Sequence, residues 1–582
     1  VAVIAAYKDI PPPVKELIDW DQQRNDVTIK YDQVVEQFSP TPLVCDPPRK
    51  DIREIAAAGP LAVEKLSVGD GRGSTHLENV TVSIPLPAHV ALVGAADSGR
   101  DFFARTLARQ ITRFEGDVRL GPASLRTLDS GDVSAVIAYA GAEPALFPGS
   151  IRDNIAYGLR RRVPALDEAA ADKAETMRRR ESLRTGNLVE RAEEDWFDYS
   201  VAGIGGPESL DIAIAEALKV VGLVDEIYRF GMGARIDLDR DAHLAQRLVE
   251  ARRRIHDRLV ADNMTRMIEP FDPDMYNTNG TIGENLMFGA MTSEDVAAAS
   301  IFRDPEVREI LRVEGLAGPL GEIGARVAET MIEIFAGLPP GHALFERFSF
   351  INAAELPAFG EIVARWRSQP GRPDRLEGGF ERLAGLALHY IEPRHRLGLL
   401  GDDARRRIVA ARKRLHELWS AQANPPVEHY HPDRYCVAAP IRDNLLFGRV
   451  GFGLAGAADA IATLLREAVS DLALEGEIFR IGLDYQVGPG GKLLFGNQRH
   501  AVELARCIIR RPEILIVDGA LAGYRLRDAR DIIGRLRTVS QGRSLFVDLP
   551  DGMETDGFDM ILSFDDGRIA SVEHREEKEA AQ

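Results

Sequence analysis

The stretch from Gly488 to Gly519 constrains the fold more than any other, because it reads in order as a glycine-rich turn, a helix and a short buried strand ending on an acid. From Ala501 onward, Val502, Ala505, Ile508 and Ile509 recur on one helical face, and Pro512 stops that helix. Ile514-Leu515-Ile516-Val517 then runs apolar without alternation, the pattern of a parallel strand covered on both faces. It delivers Asp518 to the strand's carboxyl end, where open α/β sheets bind ligands.

A second corner of this kind lies far upstream. Strands are expected over Leu61 to Val68, Val80 to Ile84 and His89 to Val93, with a glycine-rich turn from Gly69 to Gly73. The last strand runs into Gly94-Ala95-Ala96-Asp97-Ser98-Gly99-Arg100-Asp101 and a helix from Phe102 to Ile111. A glycine loop at such a corner turns backbone N–H groups towards one point, which suits a phosphate. A working phosphate loop adds a Lys for the β/γ-phosphates and a Ser or Thr hydroxyl for magnesium. Here Arg100 stands for the Lys and Asp101 for the hydroxyl.

Taken together, these segments resemble the ATPase domain of ABC transporters of the exporter type. The Leu494-Phe495-Gly496-Asn497-Gln498 run corresponds to the family's Leu-Ser-Gly-Gly-Gln signature, and Ala505, Arg506 and Pro512 match the helix downstream of that signature in the family. Asp518 and Gly519 fall on the Walker B Asp-Glu pair. The segment Ala140 to Gly158 is similar to the Q-loop region, with Ala142 where the family has Gln. Gly542 to Leu549 matches the strand that ends in a His in the family, and Phe558 to Ile569 matches the closing hairpin, with Asp566-Gly567 as its turn. The resemblance implies nucleotide binding by Gly94, Asp97, Ser98, Gly99, Arg100, Asp101 and Phe102, with ATP and Mg as cofactors. It also implies a composite site formed by dimerisation and a transmembrane domain as partner.

Replacement of the Lys, Ser, Gln, Glu and His equivalents points instead to a pseudoenzyme with no catalytic residue in place, and leaves enzyme activity open. Asp97 and Asp101 against Arg100 give the loop a charge of −1. Like charges about 4 Å apart cost on the order of 4 kcal/mol at a surface-type dielectric, so weak or absent ATP binding is expected. The alternative is a magnesium ion held by Asp101 and Asp518.

The Q-loop phrase recurs. Ser150 to Gly158, Thr281 to Gly289 and Pro440 to Gly448 share a frame of Ile, acid, Asn, two apolar residues, aromatic and Gly. The second and third follow Pro-Asp-x-Tyr phrases at Pro273 to Tyr276 and Pro432 to Tyr435. The asparagines at 154, 285 and 444 are too widely and unequally spaced for a solenoid of short repeats, so duplicated pieces of one subdomain are expected. Ser150 and Asp153 read as a capping box. Helices are expected over Ala165 to Glu194, Leu210 to Tyr228, Ala242 to Asp262, Ser293 to Val313, Arg326 to Phe335, Leu356 to Arg367, Gly378 to Tyr390 and Arg405 to Ala421. The runs Arg160 to Arg162, Arg178 to Arg180 and Arg252 to Arg254 read as solvated helix faces, with acidic lipid as the alternative partner. His429, His431 and Cys436 lack a fourth ligand at zinc spacing.

The balance of 72 basic and 90 acidic residues, a net charge of −18, argues against a nucleic-acid partner. Three dispersed cysteines give no disulfide framework. The expected fold is α/β, an ABC-type P-loop core with a mixed sheet and flanking helices, interrupted by a mainly α-helical insertion. Its expected divisions are 1–55, a helical connector following membrane spans upstream of Val1; 56–160, the first half of the ATPase domain; 161–430, the insertion; and 431–582, the second half with an acidic tail. The implied role is the cytosolic, ATP-binding-type domain of an exporter, at the cytoplasmic face of the plasma (inner) membrane, coupling domain association to a membrane half. Two alternatives stay open: a nucleotide-independent scaffold, and an active ATPase that borrows catalytic groups from the insertion.

Overall fold

The computed structural model describes residues 7, 11–38, 59–69, 74–160, 173–187, 197–262, 264–293, 298–335, 350–368, 378–454 and 456–575. The turn at 70–73, residues 1–6, 8–10 and 39–55 of the 1–55 connector, Arg161, Arg162 and the end of the acidic tail lie outside these residues, as do the ends of the helix expected over 165–194. The chain divides into two compact units, 1–144 with 510–582, and 145–509.

The first unit contains a six-stranded sheet in the order Arg568–His574, Met560–Asp565, His89–Gly94, Ser544–Asp548, Ile514–Val517, Ile137–Ala140. All neighbours are parallel except the edge pair formed by the closing hairpin. Every residue of Ile514–Val517 is buried, as its unbroken apolar run requires. A second, antiparallel sheet is ordered Thr75–Ile84, Leu61–Gly69, Glu115–Leu120, Ala123–Ser124. The two share one core in which Leu66, Leu77, Leu92, Phe103, Phe546 and Leu562 are fully buried. Each such side chain contributes about 1.5–3 kcal/mol. The helix Arg100–Leu107 joins this core through Phe103, Ala104 and Leu107. In the hairpin turn Asp566 and Gly567 both have positive φ (45° and 73°), the conformation a two-residue type I′ turn demands. That turn packs on the glycine loop, Gly567 donating its N–H to Ser98 O at 3.1 Å. The N-terminal segment forms a helix over Pro11–Phe38 in which no residue is buried. Pro11 to Pro13 fill its first turn, where a missing N–H costs nothing.

The second unit is mainly helical, and the three repeated phrases explain its architecture. Each folds as a six-residue helix: Ile151–Ala156, Ile282–Met287 and Ile441–Leu446. The first two carry complete capping boxes, Ser150 with Asp153 and Thr281 with Glu284. The third has Pro440 at the N-cap, which has no side-chain oxygen, and makes no such bond. In every copy the phrase's Asn is buried and bonds backwards. Its Oδ1 accepts the N–H of Phe147, Asn277 or Cys436 at 2.7–2.9 Å, and its Nδ2 donates to the same residue's carbonyl at 2.8–2.9 Å.

An arginine from a long helix then clamps each Asn. Arg506 Nε donates to Asn154 O at 2.7 Å, Arg412 Nε to Asn285 O at 2.7 Å and Arg252 Nε to Asn444 O at 2.6 Å. In each clamp Nη2 reaches the Asn Oδ1 at 3.0–3.1 Å. Arg506 sits on Gly496–Ile509, Arg412 on Asp402–Ser420 and Arg252 on Leu238–Ala261. The pairing is therefore not in chain order: the first phrase takes the last helix, the third takes the first, and the middle module is nested between them.

The second and third modules face each other through two short antiparallel pairs, Ile268–Pro270 with Gly448–Val450 and Gly289–Met291 with Val427–His429. Here the phrase's final glycine is required. A Cβ on Gly289 would lie 2.2 Å from Glu428 O, and one on Gly448 would lie 2.5 Å from Glu269 O. Helices Val224–Gly233 and Glu475–Leu483 cross with the same reciprocity, a Cβ on Gly231 meeting Ile478 O and one on Gly482 meeting Ile227 O, each at 2.0 Å.

The clamps correct one expectation. Arg252 does not lie on a solvated face: it is 6% exposed, and burial lowers its pKa to about 10. Its neighbours keep the expected solvation, Arg253 paired with Asp433 and Arg254 with Glu250. Arg178 and Arg179 both pair with Glu175.

Candidate functional site

The glycine loop sits at the carboxyl end of the His89–Gly94 strand and caps the helix Arg100–Leu107. Gly94 (φ 155°) and Gly99 (φ 90°) tolerate no side chain: a Cβ at 94 would meet Ser98 Oγ at 2.5 Å, and one at 99 would meet His76 O at the same distance. The helix's first amides, at Arg100, Asp101 and Phe102, have no acceptor within the helix. Gly99 at the N-cap offers no side chain to satisfy them. Ser98 Oγ is buried without a hydrogen-bond partner. Phe102 stacks on His76, with ring centroids 3.9 Å apart and planes 6° apart, and the Arg105 guanidinium lies 5.7 Å from the same ring.

Two further strand ends close on this loop. Asp518 is buried, and its Oδ2 accepts the Tyr139 hydroxyl at 2.7 Å. Burial raises its pKa above the ordinary carboxylate range, Asp101 adds to the rise, and Tyr139, Arg105 and Arg100 oppose it. Asp548 ends the neighbouring strand. Its Oδ1 lies 2.9 Å from Arg100 Nε, with both side chains about one-eighth exposed. The contact is an ion pair but is not aligned as a hydrogen bond, so Asp548 Oδ1 has no hydrogen-bond partner. Arg100 Nη1 donates instead to Leu549 O at 3.3 Å. Burial pushes Asp548 up to about 6 against the pull of Arg100, with Asp518 and Asp101 contributing. The loop's cation is thus directed at a carboxylate of its own unit.

Gly519 follows Asp518 with φ 67°, and a Cβ there would stand 2.9 Å from the Cβ of Ala142. The two positions where the resemblance places a Glu and a Gln are therefore both small and in near contact. Asp97 is exposed at the loop's rim.

The unit holding the glycine loop thus brings together Gly94, Ser98, Gly99, Arg100, Asp101, Phe102, Asp518 and Gly519. Leu494 to Gln498 belong to the helical unit. There Leu494 and Gln498 are buried, Gln498 Oε1 accepts the Phe495 N–H at 3.0 Å, and Phe495 itself is 76% exposed with Gly496 and Asn497 beside it. Among the described residues no group of three His, Cys, Asp or Glu is placed to hold a metal ion. Asp101 and Asp518 make at most a pair. His429 packs on His416 with ring centroids 3.9 Å apart, and burial lowers its pKa to about 4.

The sequence reading missed Asp548 and Tyr139. The rule that found Asp518, an acid at the end of an apolar parallel strand, also applies to Asp548 after Leu545-Phe546-Val547. Tyr139 had no sequence signal, because its role depends on strand pairing between Ile137–Ala140 and Ile514–Val517.

No protein-family model matches the chain. Curated relatives do. The chain is 26% identical over 140 residues to a probable multidrug resistance ABC transporter ATP-binding/permease protein of Bacillus subtilis, covering 24% of this chain and 23% of that one. It is 32% identical over 157 residues to an ATP-dependent lipid A-core flippase of Methylococcus capsulatus, 26% of this chain and 24% of that one. A mesentericin Y105 transport/processing ATP-binding protein of Leuconostoc mesenteroides matches at 28% over 161 residues, 28% and 21% of the two chains. The matches thus span less than a quarter of each relative's length. Among solved structures, an ATP-bound bacterial Atm1-family ABC exporter aligns over 94% of this chain and 44% of its own, at 12% identity and a TM-score of 0.37, too distant a likeness to carry a fold argument. Among the described residues no helix is long and apolar enough to cross a membrane.

Proposed function

We propose that this ABC exporter-type protein contributes an ATP-binding-type domain whose nucleotide site is disabled, and that it serves a transmembrane half by association rather than by hydrolysis. The sheet unit is, on this reading, the P-loop core, and the 145–509 unit is the expanded helical subdomain. The observation that carries it is the Arg100–Asp548 contact. A cation that should meet the β/γ-phosphates lies 2.9 Å from a carboxylate, and Asp101 and Asp518 add negative charge where the phosphates would arrive.

The residues fit Mg-ATP poorly. The loop amides and Ser98 suit an anion, but the groups around them repel one, and the position of the catalytic Glu is a glycine against Ala142. Arg252, the buried member of its basic cluster, is unavailable as a substitute catalytic group, since Asn444 and carbonyls at 431, 432 and 434 occupy it. On this reading the working position is a membrane's cytoplasmic face, beside a transmembrane domain and a second ABC-type domain.

ATP turnover by the purified chain tests this. The expected rate is indistinguishable from that of an Asp518→Ala control. Steady hydrolysis of about one ATP per second, the low end for working enzymes, abolished in that control, would overturn the proposal.

A further inference from the structure

The pairing of the second and third helical modules leaves two cavities, of about 400 and 520 Å³, on either side of a four-ring aromatic cluster. At its centre Phe271 stacks on Tyr430, with centroids 4.6 Å apart and planes 9° apart. Phe288 and Phe447 meet that stack edge-on. Each of these two rings carries a clamp guanidinium, Arg412 at 4.7 Å and Arg252 at 4.5 Å. Both arginines are saturated by the clamp, so they shape the cavity without reaching into it.

The two linings share one pattern on their long helices. Arg253, His256 and Asp257 line one cavity from a single turn of Leu238–Ala261, and Lys413, His416 and Glu417 line the other from the equivalent turn of Asp402–Ser420. All six residues are exposed, and although His416 also packs on His429, cation, imidazole and acid recur in the same order. Neither cation is buried in its pairing. Arg253 with Asp433 and Lys413 with Asp274 are ion pairs whose side chains are all more than half exposed, and such pairs are worth about 0–1 kcal/mol and exchange readily for a ligand. Each cavity therefore offers an apolar floor with aromatic rings under a mouth where a cation and an acid stand a helical turn apart, Asp433 adding a second acid in the first, and a volume in the range of about 300–1,000 Å³ that small-molecule sites occupy.

We propose that these two cavities bind small zwitterions bearing an apolar, preferably aromatic, side chain, with the ligand carboxylate at Arg253 or Lys413 and its ammonium at Asp257 or Glu417. Free aromatic amino acids have this chemistry. The inference is independent of the nucleotide-site reading, since no residue of the glycine loop takes part.

Calorimetric titration of the full chain with L-phenylalanine, phenylacetate and phenethylamine tests it. The expected result is two sites per chain for phenylalanine, with both single-charge analogues weaker by on the order of tenfold, the loss of one charged contact. Arg253→Gln should weaken one site by a similar factor, Lys413→Gln the other, and the double variant both. Asp257→Asn and Glu417→Gln should weaken phenylalanine but spare phenylacetate, which a general loss of structure would not do. Absence of saturable phenylalanine binding overturns the proposal. So do a single site per chain, phenylacetate binding as tight as phenylalanine, and binding unchanged in the Arg253→Gln/Lys413→Gln chain.

Discussion

Replacing Asp548 by Asn should tighten ATP binding, because it removes the carboxylate that competes with phosphate for Arg100. At the observed 2.9 Å, the Coulomb attraction is about 6 kcal/mol for an effective dielectric of about 20. Only part of that is recoverable. The amide oxygen of Asn keeps a dipolar attraction for Arg100, and salt screens the open side of the loop. A gain of about 1–3 kcal/mol remains, roughly a 5- to 150-fold lower Kd. Protonation should do in the native chain what the substitution does permanently. Asp548 is pushed up to about 6, so ATP affinity should rise as pH falls through about 6, and this dependence should flatten in Asp548→Asn. Fluorescent-nucleotide titration between pH 5 and 8, on both chains, reads the two effects. If Asp548→Asn binds no more tightly, or binding in the native chain weakens on acidification, Arg100 is not held from the phosphates by Asp548 and the reasoning fails. Hydrolysis should stay at background in either chain, since Gly519 and Ala142 are untouched.

Asp101→Ser should also raise ATP affinity, by about 1–3 kcal/mol, through loss of one negative charge. Calorimetry with and without magnesium checks it, and weaker magnesium-dependent binding would instead make Asp101 a metal ligand. Arg412→Lys should lower the thermal midpoint almost as much as Arg412→Ala, on the order of 3 kcal/mol in stability, because a lysine cannot reproduce the forked contacts to Asn285 and the carbonyls at 272, 273 and 275. Gly519→Glu should not restore turnover: at φ 67° the new side chain starts 2.9 Å from Ala142 and costs about 1–2 kcal/mol in backbone strain alone, readable in a thermal melt. Raising the pH from about 4 to about 6 should remove stability. Asp548 has its pKa raised on folding, so its contribution is fully present below the unfolded value near 4 and is lost as pH passes the folded one. A urea-unfolding series across that range, compared with Asp548→Asn, isolates it.

The strands and the loop were legible because their signals are local. Ile514–Val517 is apolar at every position, β-branched at three of the four and set just after Pro512, which favours a short strand covered on both sides, and its end fixes where Asp518 stands. Gly94 and Gly99 announce a loop whose backbone admits no side chain. The phrase around Asn154, Asn285 and Asn444 was visible as a repeat, and in the first two copies local capping residues mark where its helix starts. What the arginines do was not visible. Ala251-Arg252 and Ala411-Arg412 look like ordinary surface-helix residues in sequence, and only packing against a phrase more than a hundred residues away buries them. The exchange that gives the first phrase to the last helix is likewise a tertiary decision, since the three phrases and the three helices are locally alike. The arrangement around the glycine loop is a tertiary matter too. A charge count along the loop offsets Arg100 against Asp97 and Asp101, but strand order places Ser544–Asp548 beside the glycine-loop strand and brings the Asp548 carboxylate within 2.9 Å of Arg100, a partner that no count along the loop contains.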